Sequence, residues 1–409
     1  MTNAALHGVR VLDLSRILAG PLAGQYLGDF GAEVIKVERP GKGDDARRLG
    51  GVPLRAPDGT QTDFAPMYVC SNRNKKSICV DITTPDGQAL VCKLADWADV
   101  LIENYKVGDL GRYGLDYESL ALRNPRLVYC SITGFGQTGP YASRAGFDSV
   151  FQAMSGLMSM TGRADDAPGG GPTRVGIPIT DFIGGLHAFS AIMVALHHRD
   201  QVSGRGQHID IALLDAAISG TTIGMTNYFS TGERFQRCGN EQATTVPSQV
   251  FSCSDGPVLI SAPTDEMFGR LCRALGCPRL AEDSRYSSGA ERARNRDSLT
   301  AALGAIMATK RRGELFLLLE EQGVATAPVN EVDQVFADPQ VRHRRNDIQV
   351  EHPVLGTMRI GTNPMRLSST PVLDYSAPPM LGEHTDSVLR DVLGLSDVEL
   401  TRLRQARAI

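Results

Sequence analysis

One acidic residue at the head of a long apolar segment is the first candidate for chemistry. It is Asp181, within V-G-I-P-I-T-D-F-I-G-G-L-H-A-F-S-A-I-M-V-A-L-H-H-R from Val175 to Arg199. The short apolar run Ile177 to Ile179 predicts an extended entry. The proline-free apolar stretch after Thr180-Asp181 predicts a buried helix with Asp181 at its cap. Free backbone N–H groups and the positive end of the helix dipole favour an ionised carboxylate there, primed as an acceptor or a nucleophile. Capping alone is the commoner use of such an aspartate. Gly184-Gly185, one turn further in, costs about 1 kcal/mol per glycine relative to alanine. The pair predicts a close approach to the backbone, by a ligand or by a second helix.

The loop Glu38-Arg39-Pro40-Gly41-Lys42-Gly43-Asp44-Asp45 carries two cations just after a predicted strand, a place suited to a phosphate or nucleotide and equally to solvated surface. Gly134-Phe135-Gly136-Gln137-Thr138-Gly139 matches G-x-G-x-x-G after a strand. Pro140, Ser143 and Gly146 then predict loop instead of helix, and no strand ends in a carboxylate about twenty residues on. A nicotinamide or flavin site is therefore rejected in favour of a glycine-rich loop near some other ligand. No G-x-S-x-G, H-E-x-x-H or Walker loop is present, and His197-His198 point to different faces of a helix, which argues against serine hydrolases and zinc enzymes. His384, beside Glu383, is a candidate for a structural or dimer contact.

The elements that must position these residues alternate. Val9–Leu14 predicts a strand, Ala19-Gly20-Pro21 opens a helix ending near Phe30, and Glu33–Val37 is a second strand, so a β-α-β unit with a parallel sheet is expected. Further strands are predicted at Ser77–Asp81, Asp99–Glu103, Leu127–Ile132 and Gln207–Ala212. Helices are predicted from Thr84-Pro85-Asp86-Gly87 to Trp97, from Gly146 to Met158 and from Leu213. Composition changes near Thr222. Thr231–Pro247 then predicts a linker or active-site loop, followed by a hairpin around Ser254-Asp255-Gly256 and helices at 265–275, 299–308 and 312–322. Ser396 and Glu399 stand at capping-box spacing before a last helix.

The expected fold class is α/β: a doubly wound parallel-sheet large domain plus a smaller α/β domain. The expected boundaries are 1–222 for the first part of the large domain, 223–326 for the small domain with its linkers, and 327–409 for the return.

The chain has 409 residues and a net charge of −4, which disfavours a dedicated nucleic-acid or anionic-membrane surface. Met1–Arg10 lacks a secretory pattern, and the longest uncharged apolar segment, Phe182–His198, is read as too short to cross a membrane. Eight cysteines with no C-x-x-C pair fit reduced thiols and a cytoplasmic location.

At Leu14-Ser15-Arg16, Ala19-Gly20-Pro21, Gly31–Glu38, Asn72–Ser77, Glu103-Asn104-Tyr105, Asn124-Pro125-Arg126 and Gly382–Thr385 the chain resembles the class III CoA-transferases, along about Leu6 to Leu403. The family also includes the related α-methylacyl-CoA racemases. The resemblance implies a discontinuous CoA-binding domain, a small domain and two chains interlocked as a homodimer. No permanently bound cofactor is implied: a coenzyme A thioester is the substrate, with a free carboxylic acid as the other partner, and with neither nucleic acid nor membrane.

The position matching the essential aspartate is Asp181. The implied mechanism passes through a mixed anhydride to an aspartyl-CoA thioester, which the acceptor acid attacks before the steps run in reverse. Backbone N–H groups near Gly184-Gly185 could stabilise the oxyanions. CoA binding is implied for Arg16, Arg39, Lys75, Asn104, Tyr105 and Arg112, with Arg39 suited to adenine and Lys75 to phosphate.

The racemases carry a histidine where this chain has Phe147 in Gly146-Phe147-Asp148, which favours transfer over racemisation. Leu18 replaces a glutamine of the formyl-CoA:oxalate enzymes, and Ser261–Thr264 lacks their four-glycine loop, so oxalate is disfavoured. The segments Glu38–Arg47 and Cys130–Pro140 look most like the succinyl-CoA:glutarate branch. This predicts succinyl-CoA as donor and a dicarboxylate acceptor, with Arg47, Arg73 or Arg174 available to its distal carboxylate. The alternatives are a 2-methylacyl-CoA racemase or epimerase and a non-catalytic CoA-binding protein.

Overall fold

The computed structural model describes residues 4–242 and 245–409. Parts of two sequence expectations, at Met1–Asn3 and at Ala243-Thr244, lie outside the described residues. The chain forms two compact units, the larger comprising Met1–Leu157, Val175–Thr222 and Arg344–Ile409, the smaller Met158–Arg174 and Ile223–His343.

In the larger unit six strands form one sheet: β1 (Arg10–Asp13), β2 (Glu33–Glu38), β3 (Lys76–Cys79), β4 (Val100–Glu103), β5 (Val128–Thr133) and β6 (His208–Ala212). Their order is β3-β2-β1-β4-β5-β6 and every pairing is parallel. The central strands are buried and largely apolar on both sides because each face is covered by helices. Leu12, Ile35 and Leu101 pack with Leu90, Val91 and Leu94 of the Pro85–Trp97 helix on one face. Val11, Val34, Val100 and Ile102 point to the other face, against the helices Ala19–Asp29 and Ile179–His198. Strand order reverses between β1 and β4, where a doubly wound sheet opens a crevice beyond its carboxyl ends.

Local signals behave as the sequence predicts in several places. Thr84 caps the Pro85–Trp97 helix by accepting from the Gly87 N–H. Ser396 and Glu399 satisfy one another's backbone N–H at the head of Asp397–Gln405. The region expected as one helix from Gly146 to Met158 is instead two short ones, Asp148–Met154 and Leu157–Met160.

The apolar helix departs further from expectation. It begins at Ile179 with no strand before it, and its helical path continues through Arg199–Ser203. The resulting 25 residues have a mean hydropathy of 1.6 in their most apolar window, long and apolar enough by length and composition to cross a membrane. The shorter estimate from the sequence is corrected accordingly. In this fold Ala188, Ile192, Ala195 and Leu196 are buried in the core beside the sheet, while Leu186 and Val194 are exposed.

The smaller unit is built on an antiparallel sheet of β7 (Ser248–Cys253), β8 (Gly256–Ser261) and β9 (Ala325–Pro328). Phe251, Val258, Ile260, Phe268, Leu299 and Leu315 form its core with the surrounding helices. Two boundaries differ from those read in the sequence. Pairing of β9 with β8 keeps the chain in this unit beyond residue 326, and the return begins at Arg344. Met158–Arg174 also belongs here, since Arg237 donates to the Ser159 carbonyl at 2.7 Å and pairs with Asp165, and the Gly239 N–H reaches the Gly162 carbonyl at 2.8 Å.

Candidate active site

Two cavities of the larger unit meet at the carboxyl ends of β1 and β4. The first, about 410 Å³, is walled by Arg39, Lys42 and Arg112 together with Arg16, Asp45 and Tyr105. The second, about 380 Å³, shares Arg16, Asp45 and Tyr105 and adds Asn104, Asp148 and Asp181. Five of the six residues expected to bind CoA thus line one or both of the cavities, and Asp181 lies in the second.

The shared wall is held by side chain to backbone bonds. Arg16 follows β1 and Asn104 follows β4. The Asn104 amide accepts from the Arg16 N–H at 2.8 Å and donates to the Arg16 carbonyl at 2.6 Å. The Arg16 guanidinium lies 4.8 Å from the centre of the Tyr105 ring and 3.7 Å from Asp45, a cation–π contact beside a weak ion pair. Ile17, next in the chain, adopts φ 71°, an outlier for a β-branched residue. Its N–H is held at 3.0 Å by buried Asp44, which pairs with Lys36 at 2.9 Å. Neither Ile17 nor Asp44 stands out in the sequence, because positive φ in a non-glycine residue leaves no compositional trace.

Asp181 is the third residue of its helix, in the first turn; the cap position belongs to Pro178, with no side-chain cap. Among the described residues no group donates a hydrogen bond to the Asp181 carboxylate. Burial, reinforced by the negative charge of Asp148, pushes its pKa up to about 7. Burial and the neighbouring charge thus act against the ionised form that the helix start was expected to favour.

Asp148 takes the capping role from a distance. It accepts from the Thr180 N–H and hydroxyl, both at 2.8 Å, and from Gln152 Nε2 at 2.7 Å. Sequence reasoning missed this role, although the Gly146-Phe147-Asp148 segment marked the place. Phe147 itself is exposed in the wall beside Asp181, and its ring has no proton to exchange.

The two helix glycines serve packing. A Cβ on Gly185 would come within 2.7 Å of the Ala19 carbonyl, and one on Gly184 would meet Leu213.

Three expected arginine and lysine roles are corrected by burial. Lys75 is wholly buried, with Nζ on Asp13 at 2.8 Å, the Pro21 carbonyl at 2.7 Å and Asn72 at 3.0 Å. All three of its donors are used, so none is left for a phosphate. Arg47 is bound to Glu38 by two hydrogen bonds, at 2.7 and 2.8 Å, beneath Tyr68. Arg73 is locked onto buried Asp29. Arg174 belongs to the smaller unit and is exposed. His384 is structural: the Ser77 N–H donates to its Nδ1 at 3.3 Å and its own N–H to the Ser77 carbonyl at 2.9 Å. A further buried acid, to which the sequence reading gave no chemical role, is Glu103, at the end of β4, whose pKa burial raises to about 7.

A crevice at the switch point, walled by cations on one side and by a desolvated carboxylate on the other, fits an anionic carrier whose reactive end reaches Asp181. Comparison with known proteins agrees. Residues 6–385 match the family model described as CoA-transferase family III. The chain is 42% identical over 391 residues to the succinate–glutarate CoA-transferase of Agrobacterium fabrum, covering 95% of each chain. It is 38% identical over 404 residues to human succinyl-CoA:glutarate CoA-transferase, covering 99% of this chain and 90% of the relative. The crystal structure of a CAIB/BAIF family protein from Brucella suis superposes with a TM-score of 0.87 at 40% identity, over 96% of this chain and 100% of that one. The chain is a CoA-transferase and belongs to CoA-transferase family III.

Proposed function

We propose that the enzyme moves CoA from succinyl-CoA to a dicarboxylate through a covalent aspartyl-CoA thioester on Asp181. The observation that carries this reading is the placement of Asp181, with no hydrogen-bond donor among the described residues, in a cavity whose wall continues into the cationic cleft of Arg39 and Arg112. The identity of the two acids rests on the relatives named above.

The Asp181 carboxylate attacks the thioester carbonyl of the donor and its C–S bond breaks, leaving a mixed anhydride and CoA thiolate. The thiolate adds to the Asp181 carbonyl and expels the donor acid as its carboxylate. The acceptor carboxylate then attacks the Asp181 thioester, and the released thiolate takes the acceptor acyl group from the second anhydride. One thioester is present before and after, and no water is consumed. A poorly solvated carboxylate is a strong nucleophile once ionised, and the same exclusion of water protects both anhydrides.

Arg16, Arg39, Tyr105 and Arg112 bind the coenzyme in this reading, with Asn104 fixing Arg16. The protein acts as a homodimer in the cytoplasm. Exposed Leu186 and Val194 on the core helix supply apolar surface for a second copy, and eight free cysteines suit a reducing compartment.

A chromatographic panel of acyl-CoA donors and acids tests the transfer. Succinyl-CoA with glutarate is expected to yield glutaryl-CoA and succinate in equal amounts. Absence of transfer to every mono- and dicarboxylate tried would refute it.

A further inference from the structure

Burial of Arg47 and Arg73 leaves open which cation meets the second carboxylate of the acid. We propose that Arg144 is that group, the subsite for the distal carboxylate of both the departing and the arriving dicarboxylate. The inference rests on the transfer reading above.

Arg144 lies in the Asp181 cavity wall, on the stretch Ala142–Asp148. Its guanidinium is stacked 3.8 Å from the centre of the Tyr141 ring. Tyr141 meets Phe135 edge-on at 5.6 Å, and Phe135 meets buried Phe151 at 5.4 Å. The loop is pressed onto the same ring, since a Cβ on Gly146 would lie 2.4 Å from Phe151 Cζ. The cation is thus oriented by a chain of aromatic contacts that ends in the core. A guanidinium stacked on a ring by its face keeps its edge N–H groups free for a forked bond to a carboxylate.

Charge accounting in this cavity narrows the choice to two residues, and the aromatic stacking favours Arg144. Arg16 is engaged by Asp45 and Tyr105. Lys106 and Arg144 are the wall cations with no carboxylate partner among the described residues. Both line the Asp181 cavity and neither lines the cleft of Arg39 and Arg112; Lys106 adjoins Tyr105, which the two cavities share, whereas Arg144 stands on the same wall stretch as Asp148. Asp148 repels an entering dianionic acid, and ionised Asp181 repels the free carboxylate of succinyl-CoA, so a cation at that end favours the binding of both. The donor acid leaves and the acceptor acid arrives through the same cavity, so one cation serves both.

The test uses the full-length enzyme with succinyl-CoA as donor and two acceptors of equal length, glutarate and pentanoate. Both attack the same CoA-loaded enzyme, so the ratio of their kcat/KM values cancels the donor half-reaction. In Arg144→Met that ratio is expected to fall roughly 10- to 100-fold, the usual effect of a lost charged hydrogen bond, with partial recovery in Arg144→Lys. An unchanged ratio, or a fall in Lys106→Met but not in Arg144→Met, overturns the assignment. If the wild-type enzyme moves CoA from succinyl-CoA to no acid of the chromatographic panel, the transfer reading itself fails and the subsite with it. Arg144 is exposed, and an unaltered melting temperature excludes loss of folding as the cause.

Discussion

Asn104 holds Arg16 by both of its backbone groups, accepting at 2.8 Å and donating at 2.6 Å. These two bonds join the ends of β1 and β4 where the order of the parallel sheet reverses. They set the height at which the Arg16 guanidinium lies over Tyr105 in the wall common to both cavities. A binding surface is built here from loops, and its rigidity comes from side chains that satisfy main-chain groups.

Replacing Asn104 by alanine removes both bonds, and since they are solvent-exposed water takes over the freed groups, at a net cost of about 0.5–1.5 kcal/mol per bond. Because those groups belong to the wall of the cleft, the effect is expected mainly on coenzyme binding. KM for succinyl-CoA should rise about tenfold in steady-state kinetics with a smaller change in kcat. A loss confined to kcat would place Asn104 elsewhere in the reaction.

The proton affinity of Asp181 predicts a pH dependence. Only the ionised carboxylate is a nucleophile, and burial with the Asp148 charge raises its pKa to about 7. The kcat/KM for succinyl-CoA, which reports the free enzyme, should rise with pH up to about 7 and then level off. In Asp148→Asn, which keeps an oxygen acceptor for Thr180, the inflection should move to lower pH. The sign for stability follows from the same shift. The folded-state pKa lies above the ordinary carboxylate value, so both states are protonated in strong acid and the buried charge begins to cost as pH rises from about 4 to 7. Asp181→Asn should therefore gain stability over the native chain across that window, by up to roughly 1.4 kcal/mol per pH unit. Equal denaturation curves at pH 5 and pH 8 would contradict this.

Lys75 distinguishes a structural from a binding role. Its ammonium is buried against Asp13, and burial lowers its pKa to about 8 even beside that carboxylate. Lys75→Met leaves Asp13 as a buried, poorly compensated charge, so a loss of about 3–5 kcal/mol is expected in urea unfolding. A stable Lys75→Met enzyme with weakened CoA binding would restore the phosphate-binding role that the resemblance implied.

Where the deciding interactions are local, the sequence was legible. Segments rich in β-branched residues, such as Val9–Leu14 and Glu33–Val37, announced strands, and Ser396 with Glu399 announced a helix start. Asp181 was found because an acid before an apolar helix is visible in one stretch of chain. What escaped depends on partners distant in sequence. The direction taken by Lys75 is set by Asp13, 62 residues earlier. The capping of Thr180 comes from Asp148, 32 residues before it. The raised pKa of Asp181 escaped for a related reason: the helix start is a local feature, but the burial and the Asp148 charge that act against ionisation are tertiary. Residue type at Arg47, Arg73 and Arg144 is the same, and only the folded chain separates two ion pairs in the core from one cation in the wall of a cavity.

The most direct measurement is peptide mass spectrometry of the enzyme quenched during turnover with succinyl-CoA and treated with hydroxylamine. A carbonyl-linked CoA on Asp181 should be converted to a hydroxamate, giving a mass change confined to the peptide that contains Asp181 and absent from Asp181→Asn. Full transfer activity with that peptide unmodified, or the label on Asp148 or Glu103 instead, would contradict the covalent role of Asp181.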